Sequence, residues 1–485
     1  MAAPNILWIL SDELRSSALG CYGGAWAPVA TPNIDALAAR GVRFDNAFCN
    51  SPACVPSRIS MLTANLPEAT GVYSNQGAWT SYPLPVRLNT FPEHLAASGY
   101  RTASIGKSHH HSGYTPWQED NGEGSSMHNF GLDTDPGPLK PIVPRGIPSP
   151  VGGQFPSDKV FPPEAVTWNA LEWLDRHARG ETPFLRRVSY LQPHTPVLPQ
   201  VHFRRLYRAA DWPGHDLPRG YGPAFEQGFA EMVGGRELSH VQMQQAQADY
   251  HALVTWVDTQ VGLVLAMLRT RGLTDNTIVV FNADHGASLG ENGLLAKVVH
   301  APQSQRVPLI VSWPGHLPQG EVRTDLAQNL DLARTFCDLV GVAPDPGFGG
   351  RALFAEPAPD AVLSTIGNGS PGTKASSAAN RGDWRNGKGW PRRSCVRTER
   401  YRFDMNVRQD GEAMPAEEED MFLADWTVDR DEQINLATAP ELAGLVAGFR
   451  RLLLQRTAAA LEPDFVPEFS EAESPEFLPP RIKRL

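Results

Sequence analysis

Short apolar runs recur along the chain, separated by stretches of helical period. Residues 5–10, 102–105, 184–191, 277–281 and 308–311 are apolar runs too short for helices, and they read as buried strands. Between them, residues 31–40, 91–98, 163–179 and 242–271 repeat apolar positions at helical spacing. The last of these is long enough to cover a sheet face. This alternation predicts an α/β fold, a mostly parallel sheet flanked by helices. Near residues 344–350 the texture changes, and 364–389 is rich in Gly, Ser, Asn and Trp with little period, as an exposed connection is. A strand over 394–404 and an amphipathic helix over 440–459 then predict a smaller α+β subdomain. The division expected is a main α/β domain over 1–360, a small C-terminal α+β subdomain over 361–461 and an extended tail over 462–485. That tail holds five prolines and no period, which suits an extended segment that either lies on the surface or reaches a second copy of the chain in a homo-oligomer.

Composition narrows the class. A chain of 485 residues that is 41% hydrophobic can bury a large core. A formal charge of -10 argues against a binder of nucleic-acid phosphates, which needs a clustered basic excess. Residues 1–4 lead directly into the first strand without a basic n-region, and no run approaches the roughly 18–20 uninterrupted apolar residues of a membrane span. A soluble, cytoplasmic protein with no membrane partner is the expectation. The five cysteines, Cys21, Cys49, Cys54, Cys337 and Cys395, are odd in number and scattered, so they outline neither a disulfide framework nor a zinc clip.

In an open α/β sheet, ligands bind beyond the carboxyl ends of the strands. Polar residues collect there: Asp12 and Glu13 after the first run, Lys107 and His109 after the second, His194 after the third, Asp284 and His285 after the fourth. Carboxylates with an imidazole suit a divalent cation, and lysine with histidine beside them suits an anion. The segment Cys54-Val55-Pro56-Ser57-Arg58 opens a helix expected over 56–64, with proline near its first position. Cys54 therefore stands at a helix N-terminus, where orphan N–H groups and Arg58 one turn on favour negative charge.

Cys54-Val-Pro-Ser-Arg58 followed by Leu62-Thr63 resembles the signature of the sulfatase family, in which the cysteine is oxidised to formylglycine. Thr31-Pro32-Asn33-Ile34-Asp35, Gly106-Lys107, Pro193-His194-Thr195-Pro196, Ala283-Asp284-His285-Gly286, Arg306-Val307-Pro308-Leu309 and Asn435-Leu436 resemble further landmarks in the same order. The resemblance implies an alkaline-phosphatase-like fold and hydrolysis of a small-molecule sulfate ester, after maturation by a formylglycine-generating enzyme. It implies that Asp12, Asp284, His285 and the modified Cys54 hold one divalent cation, calcium in the first place, with manganese or magnesium as the other readings. Arg58 and Lys107 would stabilise the hydrated aldehyde, His109 would deprotonate it, and Lys107, His194 and Lys297 would bind the sulfate, His194 and Lys297 also helping the leaving oxygen.

Three positions depart from the family pattern. Glu13 replaces a common second aspartate, leaving open whether it reaches the cation. Asp284-His285 replaces the commoner Asp-Asn and resembles choline-sulfatase-like and phosphonate-monoester-hydrolase-like members. Ala64 stands where the extended signature has glycine. His300, one helical turn past Lys297, is a further candidate for the substrate pocket, where it would contact the leaving group. A run of three histidines, 109–111, is read as His109 alone. The acidic stretches 118–126 and 417–420 read as a loop and an exposed connector. Two other functions remain: a phosphonate monoester or phosphodiester hydrolase with the same nucleophile, and a pseudoenzyme in which Cys54 stays a thiol and the pocket only holds an anion.

Overall fold

The computed structural model describes residues 3–24, 26–75, 88–109, 115–121, 141–144, 147, 150–154, 162–178, 180–217, 222–367, 390–409 and 411–459. The expected tail, the connection beyond residue 367 as far as 389, and His110 and His111 lie outside the described residues. In chain order the strands are β1 (Asn5–Asp12), β2 (Val42–Phe48), β3 (Arg101–Gly106), β4 (Glu119–Asn121), β5 (Phe184–Pro193), β6 (Thr277–Ala283), β7 (Ser288–Leu289), β8 (Leu295–Ala296), β9 (Leu309–Ser312), β10 (Glu321–Gln328), β11 (Val362–Ile366), β12 (Arg392–Arg397), β13 (Tyr401–Gln409), β14 (Glu412–Ala413) and β15 (Phe422–Asp425).

An eight-stranded sheet runs in the order β10-β2-β9-β6-β1-β5-β3-β4. All its pairings are parallel except those of β9, which runs antiparallel to both β2 and β6. Every residue of β1, β5 and β6 is buried, as expected of strands covered by helices on both faces. Sustained burial takes in even Arg186 and Arg187 on β5. The Arg187 guanidinium lies 4.8 Å from the centre of the Trp117 ring, and its Nε donates to Ser104 Oγ. The helix His240–Thr270 starts at a capping box formed by Ser239 and Gln242. It carries a window apolar enough to span a bilayer, yet 72% of that window is buried within the fold, so core packing accounts for its apolarity.

The C-terminal sheet is antiparallel, β11-β12-β13-β14 with β15 on the outer part of β13. The single strand expected over 394–404 is instead a hairpin of β12 and β13. Thr398 turns the chain, its Oγ1 accepting from Tyr401 N while its own N–H donates to Tyr401 O. Two other short expectations change. Glu119–Asn121, inside the expected loop, pairs in parallel with β3 as an edge strand. The acidic connector is not solvated throughout: Glu419 is buried against Arg450, and Asp420 accepts from the N–H groups of Ala224 and Phe225 at the start of the helix Ala224–Val233.

Candidate active site

Because β1, β3, β5 and β6 are mutually parallel, their carboxyl ends share one edge of the sheet. That edge brings Asp12, Lys107, His194 and Asp284 together. The helix Cys54–Thr63 points its N-terminus at them and begins at Cys54 itself, two residues earlier than expected, with Ala53 as its cap. All ten of its residues are buried. The Val55 N–H, which has no partner inside the helix, donates to Asn75 Oδ1 at 3.0 Å. At the other end Ala64 adopts a left-handed φ of 54°, the conformation that glycine takes most readily.

Cys54 Sγ is the centre of the cluster. Lys297 Nζ lies 3.0 Å from it, His285 Nε2 3.2 Å, Lys107 Nζ 3.5 Å and Asp12 Oδ1 3.7 Å. His109, at a left-handed φ of 42°, also hydrogen-bonds the sulfur. Arg58 ties the carboxylates together from behind. Its Nη2 donates to Asp12 Oδ2 and its Nε to Asp284 Oδ2, both at 2.8 Å, and its Nη1 donates to Lys107 O and Ser189 Oγ. Lys107 Nζ meets Asp12 Oδ2 at 2.7 Å. Glu13 Oε2 lies 2.9 Å from Lys297 Nζ and 3.4 Å from His194 Nε2.

Charge neighbours set the protonation states. Burial and Cys54 push the Asp12 carboxyl up, but Lys107, His194 and Arg58 outweigh them and hold it well below the usual range. Burial likewise opposes ionisation of Cys54, and the cations of Lys107, Lys297 and His285 reverse this, placing the thiol well below its ordinary pKa. Burial and the nearby Asp12 charge raise Asp284. His285 is pulled down by burial, yet Asp284 carries it up to about 9. Burial together with the Lys107 charge takes His109 down to about 4, so its imidazole is neutral near pH 7 and able to accept a proton.

Donor atoms of Asp12, Cys54, Asp284 and His285, all buried, lie within 4.8 Å of one another. Arg58 occupies the Oδ2 atoms of both carboxylates and leaves Oδ1 of Asp12 facing Cys54. His285 Nδ1 lies 3.0 Å from Gly286 O, to which it can donate, so that a bound cation would displace the proton of Nε2 and use that lone pair. Two carboxylates and an imidazole fit a divalent cation. Glu13 is not in this set; it forms a second one with Asp12 and His194.

His300 is the correction. No helix continues from Lys297, since residues 297–301 form a loop between β8 and the helix Pro302–Gln305. The His300 ring is buried against the C-terminal sheet, where Nε2 donates to Arg393 O at 3.2 Å. Three supporting residues escaped the sequence reading, and a fourth, Ser57, stood in the Cys54 motif without this role. Ser57 Oγ and Asn329 Nδ2 both donate to Asp284 O, Ser189 receives Arg58, and Tyr250 donates to Glu13 O. Asn329 follows a strand that the apolar runs do not reveal.

A buried cysteine at a helix N-terminus, flanked by cations and a two-carboxylate, one-imidazole donor set at the carboxyl edge of a parallel sheet, defines a centre suited to a tetrahedral oxyanion. The chain belongs to the sulfatase family, whose sequence model matches residues 4–342. It is 30% identical over 336 residues to iduronate 2-sulfatase of Homo sapiens, an alignment covering 64% of this chain and 60% of that protein. With choline-sulfatase of Rhizobium meliloti it shares 28% identity over 372 residues, covering 70% and 68% of the two chains. The crystal structure of phosphonate monoester hydrolase of Agrobacterium radiobacter has the same fold, with a TM-score of 0.75 at 23% identity over 94% of this chain and 96% of that one.

Proposed function

We propose that this chain hydrolyses a sulfate ester with Cys54, converted to formylglycine, as the nucleophile. The observation that carries the reading is the convergence of Lys297, His285 and Lys107 on one cysteine sulfur within 3.5 Å. In the structure that sulfur stands in for the oxygens of a hydrated aldehyde. Lys107 and Arg58 would stabilise charge on those oxygens, and one hydroxyl would attack sulfur. Lys297 and His194 would hold the sulfate, and Lys297 would offset charge on the departing alcohol oxygen. His109 would then take the proton of the second hydroxyl, the carbonyl would re-form, and sulfate would leave as the carbon–oxygen bond to it breaks. Asp12, Asp284, His285 and residue 54 would hold a divalent cation, which when bound supplies positive charge that lowers the pKa of the attacking hydroxyl.

Mass spectrometry of the Cys54 peptide from protein co-produced with a formylglycine-generating enzyme, combined with turnover of an aryl sulfate, tests the proposal. A lighter, hydrazide-reactive peptide and released sulfate are expected. An unmodified thiol in protein that still binds inorganic sulfate would establish the pseudoenzyme instead. His285 favours a second reading, hydrolysis of a phosphonate monoester or phosphodiester, because an imidazole here departs from the commoner sulfatase pair. Comparing kcat/KM for phenyl sulfate and a phenyl phosphonate ester decides between them, and a large preference for phosphorus would replace the first reading.

A further inference from the structure

The C-terminal sheet buries a charged face. On β12 and β13, the side bearing Val396, Phe403, Met405 and Val407 packs with Val446 and Leu453 of the helix Ala443–Ala458 in an apolar cluster. Alternation turns Arg393 and Arg397 of β12, with Arg402 and Asp404 of β13, to the other side, and all four are buried. There Arg402 pairs with Asp404, with Glu432 and with Glu226 of the helix Ala224–Val233. Arg393 pairs with Asp404 and Asp420. A docked face of this kind places fixed hydrogen-bond donors where an apolar face would only fill space.

The donors of Arg397 reach the loop that carries Lys297. Glu432 grips Arg397 with both carboxylate oxygens, at 2.5 and 3.0 Å. The same guanidinium donates through Nη2 to His300 O at 3.0 Å and through Nε to Gln305 Oε1 at 2.5 Å. His300 returns a bond from its ring to Arg393 O. Burial takes the His300 imidazole down to about 3, so it stays neutral in this role. At the near end of the loop, Val298 N donates to Pro52 O at 2.9 Å, two residues before Cys54.

Lys297 sits between two residues in the left-handed region, Ala296 at φ 63° and Val298 at φ 81°. For a β-branched residue such a φ is an outlier, and it persists only where the surroundings hold it. Bonds from Pro52 on one side and from Arg397 and Arg393 on the other meet that requirement.

We propose that Arg397, fixed by Glu432, is a positioning residue that holds the strained loop so that Lys297 Nζ stands against residue 54, making the C-terminal sheet a structural part of the active site. The role rests on the reading of Lys297 as a group that acts on the sulfate ester. Arg397→Lys keeps the charge but cannot span His300 O, Gln305 and Glu432 together. In mature protein with metal added, kcat for an aryl sulfate should fall roughly 10–100-fold, as for a displacement of about 1 Å, with KM changed less. Amide exchange in the peptide 294–305 should quicken while exchange in β1 and β6 stays as in the native chain. In a Lys297→Ala background the same substitution should add no further loss.

If Arg397→Lys does not fold, Gln305→Met, which removes one Arg397 acceptor without changing charge, carries the same comparison. Native kcat together with native exchange in 294–305 would overturn the proposal, as would a loss that multiplies with that of Lys297→Ala. A native chain that turns over no sulfate ester would refute the sulfatase reading, and the exchange measurement would then decide the loop clamp by itself.

Discussion

Replacing Arg58 by methionine removes the cation that bridges two buried carboxylates while keeping a side chain of similar reach. Arg58, Asp12 and Asp284 are all buried, and the two bridging bonds are each 2.8 Å. In metal-free protein Lys107 still pairs with Asp12 at 2.7 Å, but Asp284 loses its guanidinium partner, and the substituted fold avoids that buried charge by keeping a proton on one of the two carboxyls. Holding a carboxyl of ordinary pKa near 3.9 protonated at pH 7 costs about 4 kcal/mol at roughly 1.4 kcal/mol per pH unit, within the ~3–5 kcal/mol of a broken buried pair. An unfolding entropy of ~2.1 cal/mol/K per residue, scaled to 485 residues, is about 1 kcal/mol/K, so Tm should drop by about 4 °C. The sign in pH follows from the retained proton. The substituted fold keeps it while the unfolded chain releases it above about pH 4, so the deficit is full at pH 7 and shrinks toward pH 4. Thermal and urea unfolding of Arg58→Met and the native chain, in chelator at pH 7, 6 and 5, measures this. Arg58→Lys should fall between the two, since an ammonium cannot reach both carboxylates in the guanidinium's geometry. A deficit equal at pH 5 and pH 7, or none at all, would refute the reasoning.

Ala64→Gly should stabilise the fold by about 1 kcal/mol, because Ala64 holds a left-handed φ of 54° at the helix C-cap; a lower urea midpoint would contradict it. Asp284→Ala should weaken divalent-cation binding, read by equilibrium dialysis, by more than the ~10–100-fold expected of an outer partner, whereas undiminished binding would remove Asp284 from the donor set. His251, stacked on Trp212 with ring centres 4.1 Å apart, is taken by burial down to about 3. The unfolded chain gains that proton below about pH 6.5, so stability should fall with acidification by about 1.4 kcal/mol per pH unit from this group. His251→Leu should remove that part of the slope between pH 6 and pH 4, and an unchanged slope would exclude His251 as its source.

Much of the main sheet was legible because its central strands are covered on both faces. Continuous apolar runs marked β1, β3, β5, β6 and β9 to within about two residues of their observed bounds. Strands β2 and β10 were not found, and their burial explains why: β2 alternates buried with partly exposed positions and β10 partly exposed with exposed ones in part of their length, so neither is a continuous run. Asn329, which supports Asp284 from the end of β10, stayed hidden with its strand.

The sequence by itself determined the sheet's covered strands, a helix beginning within two residues of Cys54 and the polar residues at the strand ends, because period and helix-terminus chemistry are local properties. Only the tertiary structure decided which of those residues meet. Parallel pairing of β1, β3, β5 and β6 sets Asp12, Lys107, His194 and Asp284 on one edge, while the hairpin of β12 and β13 takes His300 away from Lys297 and onto Arg393. The physical reason is range. A backbone pattern fixes where a side chain projects within its own element, whereas a bond such as Arg397 to His300 O joins residues 97 positions apart and exists only once the two sheets have docked.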